Sequence, residues 1–174
     1  MKTIILYGDP SDNRLTFPLC RALEQYGGAL HLHGGNIGEY SAAAPEFLIY
    51  ETGVLESVQI SHGLLLLKEN AALPGKHPGI SGIDAVILPN QAECALRAPV
   101  IRCGASGDCA VMLSSLGEQS AVVTLGQTVR VNGRVYEPHD IRIRLTHPIE
   151  PYQLTACCAA LMFSLDVDTE QLLL

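Results

Sequence analysis

Residues 8–16, reading GDPSDNRLT, come nearest to doing chemistry by type and spacing. They follow the apolar run 3–7 (TIILY) and precede a helical pattern, the place where backbone N–H groups and a helix N-terminus can cradle a phosphate. Laid over G-x-x-x-x-G-K-[ST], the length fits and Gly8 matches, but Asn13 stands for the second Gly and Arg14 for the Lys. Leu15 takes the place of the hydroxyl that would reach magnesium, with Thr16 one position late. Asp9 and Asp12 set two negative charges where a triphosphate brings its own, and one unit pair near 4 Å is worth about 4 kcal/mol at an effective dielectric of 20. The stretch reads first as an ordinary strand-to-helix turn with Asp and Asn as caps, the alternatives being a degenerate, non-binding phosphate loop and, last, a working site. Gly8, Asn13, Arg14 and Thr16 are candidate cofactor-binding residues, with ATP and magnesium disfavoured and no cofactor assigned.

His31 and His33 are two apart on a strand-like run, so they share a face. With a carboxylate nearby they could hold a metal, but by spacing alone they read as strand-end residues facing solvent or a cleft, and no metal is assigned. His62, His77, His139 and His147 form no motif. Cys103 and Cys109 lack zinc-site spacing, while Cys20, Cys94, Cys157 and Cys158 read as core packing. Residues 104–108 (GASGD) lack the final Gly of G-x-S-x-G and do not lie between a strand and a helix, so a hydrolase elbow is rejected. Five of the 11 basic residues, Arg102, Arg130, Arg134, Arg142 and Arg144, lie in the second half, where a solvated sheet face is the simplest reading.

The elements that must carry these residues are short. Apolar runs at 3–7, 29–33, 47–50, 63–68 and 84–88 are continuous rather than alternating, as in strands buried on both faces of a helix-covered sheet. A helix beginning near Arg14 or Thr16 is stopped by Gly27-Gly28; Pro18 requires that its start be close. A second, short helix is expected over 91–97, and residues 69–82 are a loop by composition. From Pro99 the texture changes to strands at 100–103, 109–115 and 121–125. A hairpin about Asn132-Gly133 follows, then a one-sided strand at 141–145. Residues 152–165 form a helix that is apolar all round and so must be buried or lie in an interface, with Pro151 at its start. The chain thus reads as α/β: a phosphate-loop-like (Rossmann-like) layer with a mostly parallel sheet, then an antiparallel β meander and a closing buried helix. It is one domain, with an α/β part over 1–98 and a β-rich part over 99–174.

Composition narrows the partners. With 174 residues, a net charge of −7 and no Lys/Arg cluster, the chain offers no surface for tracking nucleic-acid phosphates. Its longest apolar run, 156–163, is too short for a bilayer. The N-terminal run is not a signal peptide, so a cytoplasmic location and reduced cysteines are expected. Charged residues make up 17% against about 25% for a typical soluble domain, which a homo-oligomer or protein partner covering part of the surface would explain.

Several stretches together resemble the central ATPase domain of the Mur ligases and folylpolyglutamate synthases. Residues 4–28 follow its opening strand, phosphate loop and helix. Leu48-Ile49-Tyr50-Glu51-Thr52 is similar to a strand end whose Glu helps hold magnesium, which makes Glu51 a further cofactor-binding candidate. Val100-Ile101-Arg102-Cys103-Gly104, then 108–116, 142–145 and 151–168 follow the order of the family's small sheet, hairpin, Ala/Leu-rich helix and short acidic helix start. The phosphate loop departs from the family as described, and no Asp-His-Leu-Asp stretch or suitably placed Lys for its carboxylated lysine is found. The resemblance therefore implies a stripped core acting as a non-catalytic binding or assembly module. The alternative is a small nucleotide-dependent enzyme using Asp9, Asp12, Arg14, His31, His33 and Glu51.

Overall fold

The computed structural model describes residues 1–40, 44–55, 57–73, 79–165 and 171–174. In chain order its elements are β1 (Lys2–Tyr7), α1 (Thr16–Gln25), β2 (Ala29–His33), β3 (Asn36–Tyr40), β4 (Phe47–Thr52), β5 (Val58–Gln59), β6 (Gly63–Leu67), β7 (Ile80–Ser81) and β8 (Ala85–Pro89). There follow β9 (Val100–Gly104), β10 (Val111–Leu116), β11 (Ser120–Leu125), β12 (Val129–Val131), β13 (Arg134–Tyr136), β14 (His139–Arg144), α2 (Pro151–Ser164) and β15 (Gln171–Leu173).

Eleven strands form one sheet in the order β15-β14-β11-β10-β9-β8-β6-β1-β4-β2-β3. The contiguous strands β2-β4-β1-β6-β8-β9-β10 are parallel. The fold is mixed α/β with a large, mostly parallel sheet, and the texture change at Pro99 does not divide it. Strand β3 pairs antiparallel with β2 at one edge, and after Pro99 antiparallel pairing begins at β10–β11 and continues to β14, so β9 belongs with the parallel strands rather than with a meander. The β12–β13 hairpin stands apart from the sheet and turns on Asn132 and Gly133, whose φ values of 48° and 76° are the pair a type I′ turn demands.

Both helices pack on one face of the sheet. Ile4, Leu6, Ile49, Leu64, Leu66 and Ile87 meet the apolar sides of α1 and α2 in one core. The alternate residues Ile5, Tyr7, Leu65, Leu67, Val86 and Leu88 form a second core. That face is covered by loop residues such as Leu55, Ile60, Leu73 and Leu96, not by helices as the continuous apolar runs suggested. The helix expected over 91–97 does not form. The seven residues 91–97, confined between Pro89 and Pro99, cannot offset helix nucleation, and Arg102 takes the carbonyls of Asn90 (2.5 Å) and Ala92 (2.8 Å) into hydrogen bonds.

Helix α2 is buried along nearly its whole length. Its apolar surface is consumed inside the molecule, against the sheet and the β12–β13 hairpin, where Tyr136 meets Phe163 edge-on. The helix does not end the chain, because β15 follows it and pairs with β14 in parallel. The Tyr152 hydroxyl donates to the Leu67 carbonyl and fixes the start of α2 to the end of β6. Tyr152→Phe is expected to cost about 1 kcal/mol, read as a lower urea midpoint at unchanged m-value.

Candidate functional site: a buried charge cluster at the strand ends

On the helix-bearing face, four parallel strands begin with apolar residues and end in polar or small ones. Strand β1 gives Ile4, Leu6 and then Gly8, and β2 gives Ala29, His31 and His33. Strand β4 gives Phe47, Ile49 and Glu51, and β6 gives Leu64, Leu66 and then Lys68. Period-2 alternation puts each set on one face, and register puts His33 opposite Glu51 and Tyr7 opposite Leu67. The polar ends therefore converge.

Glu51 is the centre, 2% exposed. Its Oε1 accepts a hydrogen bond from Thr16 Oγ1 at 2.9 Å and another from the Lys68 ammonium. Its Oε2 faces His31 Nε2 at 2.6 Å and His33 Nδ1 at 3.7 Å. Lys68, also 2% exposed, donates in addition to the backbone carbonyls of Asp9 (2.7 Å) and Asp12 (2.6 Å). Burial is the largest single influence on the Glu51 carboxyl and pushes it up. Hydrogen bonds from His31, Lys68 and Thr16, with the charge of Lys68, outweigh it and bring the group down to about 2. The carboxylate is ionised at neutral pH.

The loop at 8–15 is closed on itself. Asp9 Oδ1 accepts from the Ser11 amide and hydroxyl, and Asp12 Oδ1 accepts from the Arg14 amide and Nε. The aspartates thus cap loop amides rather than the helix, whose N-cap is Leu15 with no side-chain bond. These hydrogen bonds hold the Asp9 and Asp12 carboxyls below the usual carboxylate range. The Gly8 amide bonds to Thr52 O, and the Asn13 carbonyl accepts from Phe17 N. Gly8 has φ +146°, and a Cβ there would stand 2.8 Å from Lys68 Cβ, so glycine is required by the passage of the lysine stem.

Of the residues singled out in the sequence, Thr16, His31, His33 and Glu51 come together. Arg14 does not join them. It pairs with Asp12 at 2.9 Å and reaches Glu69 (3.3 Å) and Glu150 (3.6 Å) at the surface. Burial pushes the thiols of Cys20 and Cys158 up to about 12 and raises those of Cys103 and Cys157, leaving them unsuited to act as nucleophiles. Arg142 and Arg144 lie on the exposed face of β14. His77 and residues 74–78 of the expected loop, like 166–170 of the expected acidic helix start, lie outside the described residues, and Gln171–Leu173 is strand.

Lys68 is the residue that sequence reasoning missed. Its signal was a lysine closing the all-apolar run GLLLLK, where a charge must either reach water or find a buried partner.

Beside the cluster, past the ends of β6, β8 and β9, lies a cleft of about 860 Å³ bordered by Glu69, Asn90, Glu93, Ser106, Glu150 and Tyr152. Among its described lining residues there are three glutamates and neither Lys nor Arg. Among the described residues, no helix is long and apolar enough to cross a membrane. No protein-family model matches the chain, and no curated protein matches it.

Proposed function

We propose that this chain is a non-catalytic binding or assembly module, built on a core of the Mur-ligase ATPase type, whose phosphate loop does not bind ATP. The observation that carries this reading is Lys68. A phosphate loop turns backbone N–H groups inward toward an anion. Here two loop carbonyls turn inward toward a resident ammonium, and the loop's own aspartates occupy the amides of Ser11 and Arg14.

Two features support the relation to that core. The parallel strands lie on either side of β1, with β4 and β2 on one flank and β6 and β8 on the other, so a topological switch point falls beside the loop. Thr16 on Glu51 also has the pairing of a loop hydroxyl with a strand-end acid. That contact alone favours the second reading, a small nucleotide-dependent enzyme, against which Arg14 points away from Glu51. The cleft, lined by three glutamates of which Glu69 and Glu150 lie within reach of Arg14, suits a neutral ligand better than a polyphosphate. For the assembly half, the low charge and the exposed Ile37 of edge strand β3 (71% exposed) suit self-association or a protein partner.

Thermal unfolding with and without magnesium-ATP and ADP tests the reading. No rise in midpoint is expected. A nucleotide at 100 times its dissociation constant would add about 2.7 kcal/mol, a rise of roughly 5–10 °C for a chain of this size. A rise of that size, or ATP hydrolysis by the pure protein, would overturn the proposal in favour of the enzyme.

A further inference from the structure

We infer that His31, His33 and Glu51 form a binding site for a divalent first-row transition-metal ion, independent of any nucleotide. One ring nitrogen each of His31 and His33 and a Glu51 carboxylate oxygen all lie within 4.8 Å of one another. Among the described residues, the hydrogen-bond network accounts for Glu51 and His31 but not for His33. Its Nδ1 is aimed at Oε2 from 3.7 Å, beyond hydrogen-bond reach, with its ring 5.9 Å from that of His31.

A metal between them accounts for that placement. With bonds of about 2.0–2.2 Å to nitrogen and oxygen, tetrahedral ligand atoms stand roughly 3.3 Å apart. His31 Nε2 at 2.6 Å and His33 Nδ1 at 3.7 Å from Oε2 bracket that separation, so small side-chain rotations seat an ion.

The surroundings suit the role. Thr16 and Lys68 hold Oε1, which leaves Oε2 as a single, oriented ligand in the manner of a supported metal site. The His31 and His33 side chains are 12% and 37% exposed, so an ion has a route in and a coordination position open to water or a small ligand. Two imidazoles and one carboxylate select zinc, cobalt or nickel over magnesium, which prefers oxygen. The Lys68 ammonium on the other carboxylate oxygen opposes the incoming charge, which makes this an exchangeable site rather than a structural one.

The test is equilibrium dialysis of the intact chain against Zn²⁺, with Co²⁺ as a spectroscopic probe. One equivalent should bind, and Co²⁺ should give the visible absorption of a low-coordinate nitrogen/oxygen site. His33→Ala removes a ligand whose ring makes no hydrogen bond among the described residues, and it should weaken Zn²⁺ binding at least tenfold and abolish the Co²⁺ bands at an unchanged unfolding midpoint. His62→Ala, at the opposite end of β6, should bind as the parent does. Failure to bind one equivalent, or binding that survives His33→Ala, would overturn the site while leaving the nucleotide result untouched. Magnesium binding in place of zinc would overturn it as well.

Discussion

Replacing Lys68 with Met is expected to lower the stability of the fold by about 3–5 kcal/mol, the usual cost of removing one partner from a buried ion pair. The midpoint should fall by roughly 6–20 °C for a chain of this length. The loss has two sources. The Glu51 carboxylate, 2% exposed, keeps Thr16 and His31 but loses the ammonium that holds Oε1. The carbonyls of Asp9 and Asp12 lose their shared donor, so the loop at 8–15 loses its buried tie to the end of β6. Adding Glu51→Gln to the Lys68→Met chain should cost much less than the single change does in the parent, because the charge it removes is then already unpaired. Arg14→Ala is the contrast: its pairs are half exposed, and surface pairs contribute about 0–1 kcal/mol. Urea unfolding of the parent, the two single variants, the double variant and Arg14→Ala measures all of this. A Lys68→Met loss under about 1 kcal/mol, or strict additivity with Glu51→Gln, would mean that the ammonium does not hold the site together.

The strands that could be read from the sequence are those with continuous apolar cores, because their burial does not depend on what pairs with them. The first helix and the Asn132-Gly133 hairpin were legible for a related reason: their stop and turn residues act locally. The elements that escaped notice depend on partners. Strand β3 (NIGEY) is a polar edge whose one local signal was the two-residue turn Gly34-Gly35, where His33 pairs with Asn36. Strand β15 is three residues long and exists only beside β14. Residues 91–97 have helical spacing, but their carbonyls are more useful to Arg102.

The site shows the same division. His31 and His33 share a face by parity alone, whereas the meeting of β2 and β6 with β4 and β1 at Glu51 is a matter of strand order. A run such as GLLLLK has no alternation to show which face its lysine takes. Once the order is fixed, parity does the rest, and Lys68 falls on the face of Leu64 and Leu66. The aspartates of the loop were legible as caps, but not what they cap, because that depends on the conformation Lys68 imposes.

Acid should weaken the fold through Glu51 in particular. Its carboxyl titrates near 4.5 when unperturbed and is held at about 2 in the folded chain. A depressed folded value means that the unfolded chain takes up the proton first as the pH drops. The stabilisation is therefore complete above about pH 4.5 and is lost as the pH falls toward 2, with a total on the order of 3 kcal/mol. Asp9 and Asp12 are lowered as well, by their bonds to Ser11 and Arg14, so acid sensitivity of the parent alone does not single out Glu51. The difference between the parent and Glu51→Gln does, since the amide keeps the shape and cannot titrate. At neutral pH the variant should be less stable, having left Lys68 buried without a counter-charge. Between about pH 4.5 and 2 the gap should close, because protonation brings the parent to the same uncharged state. Urea unfolding of both chains at a series of pH values measures the gap. A gap that stays constant through that range, or widens toward low pH, would show that the buried carboxylate is not ionised in the folded protein, and the Lys68–Glu51 pair would have to be replaced by a neutral arrangement.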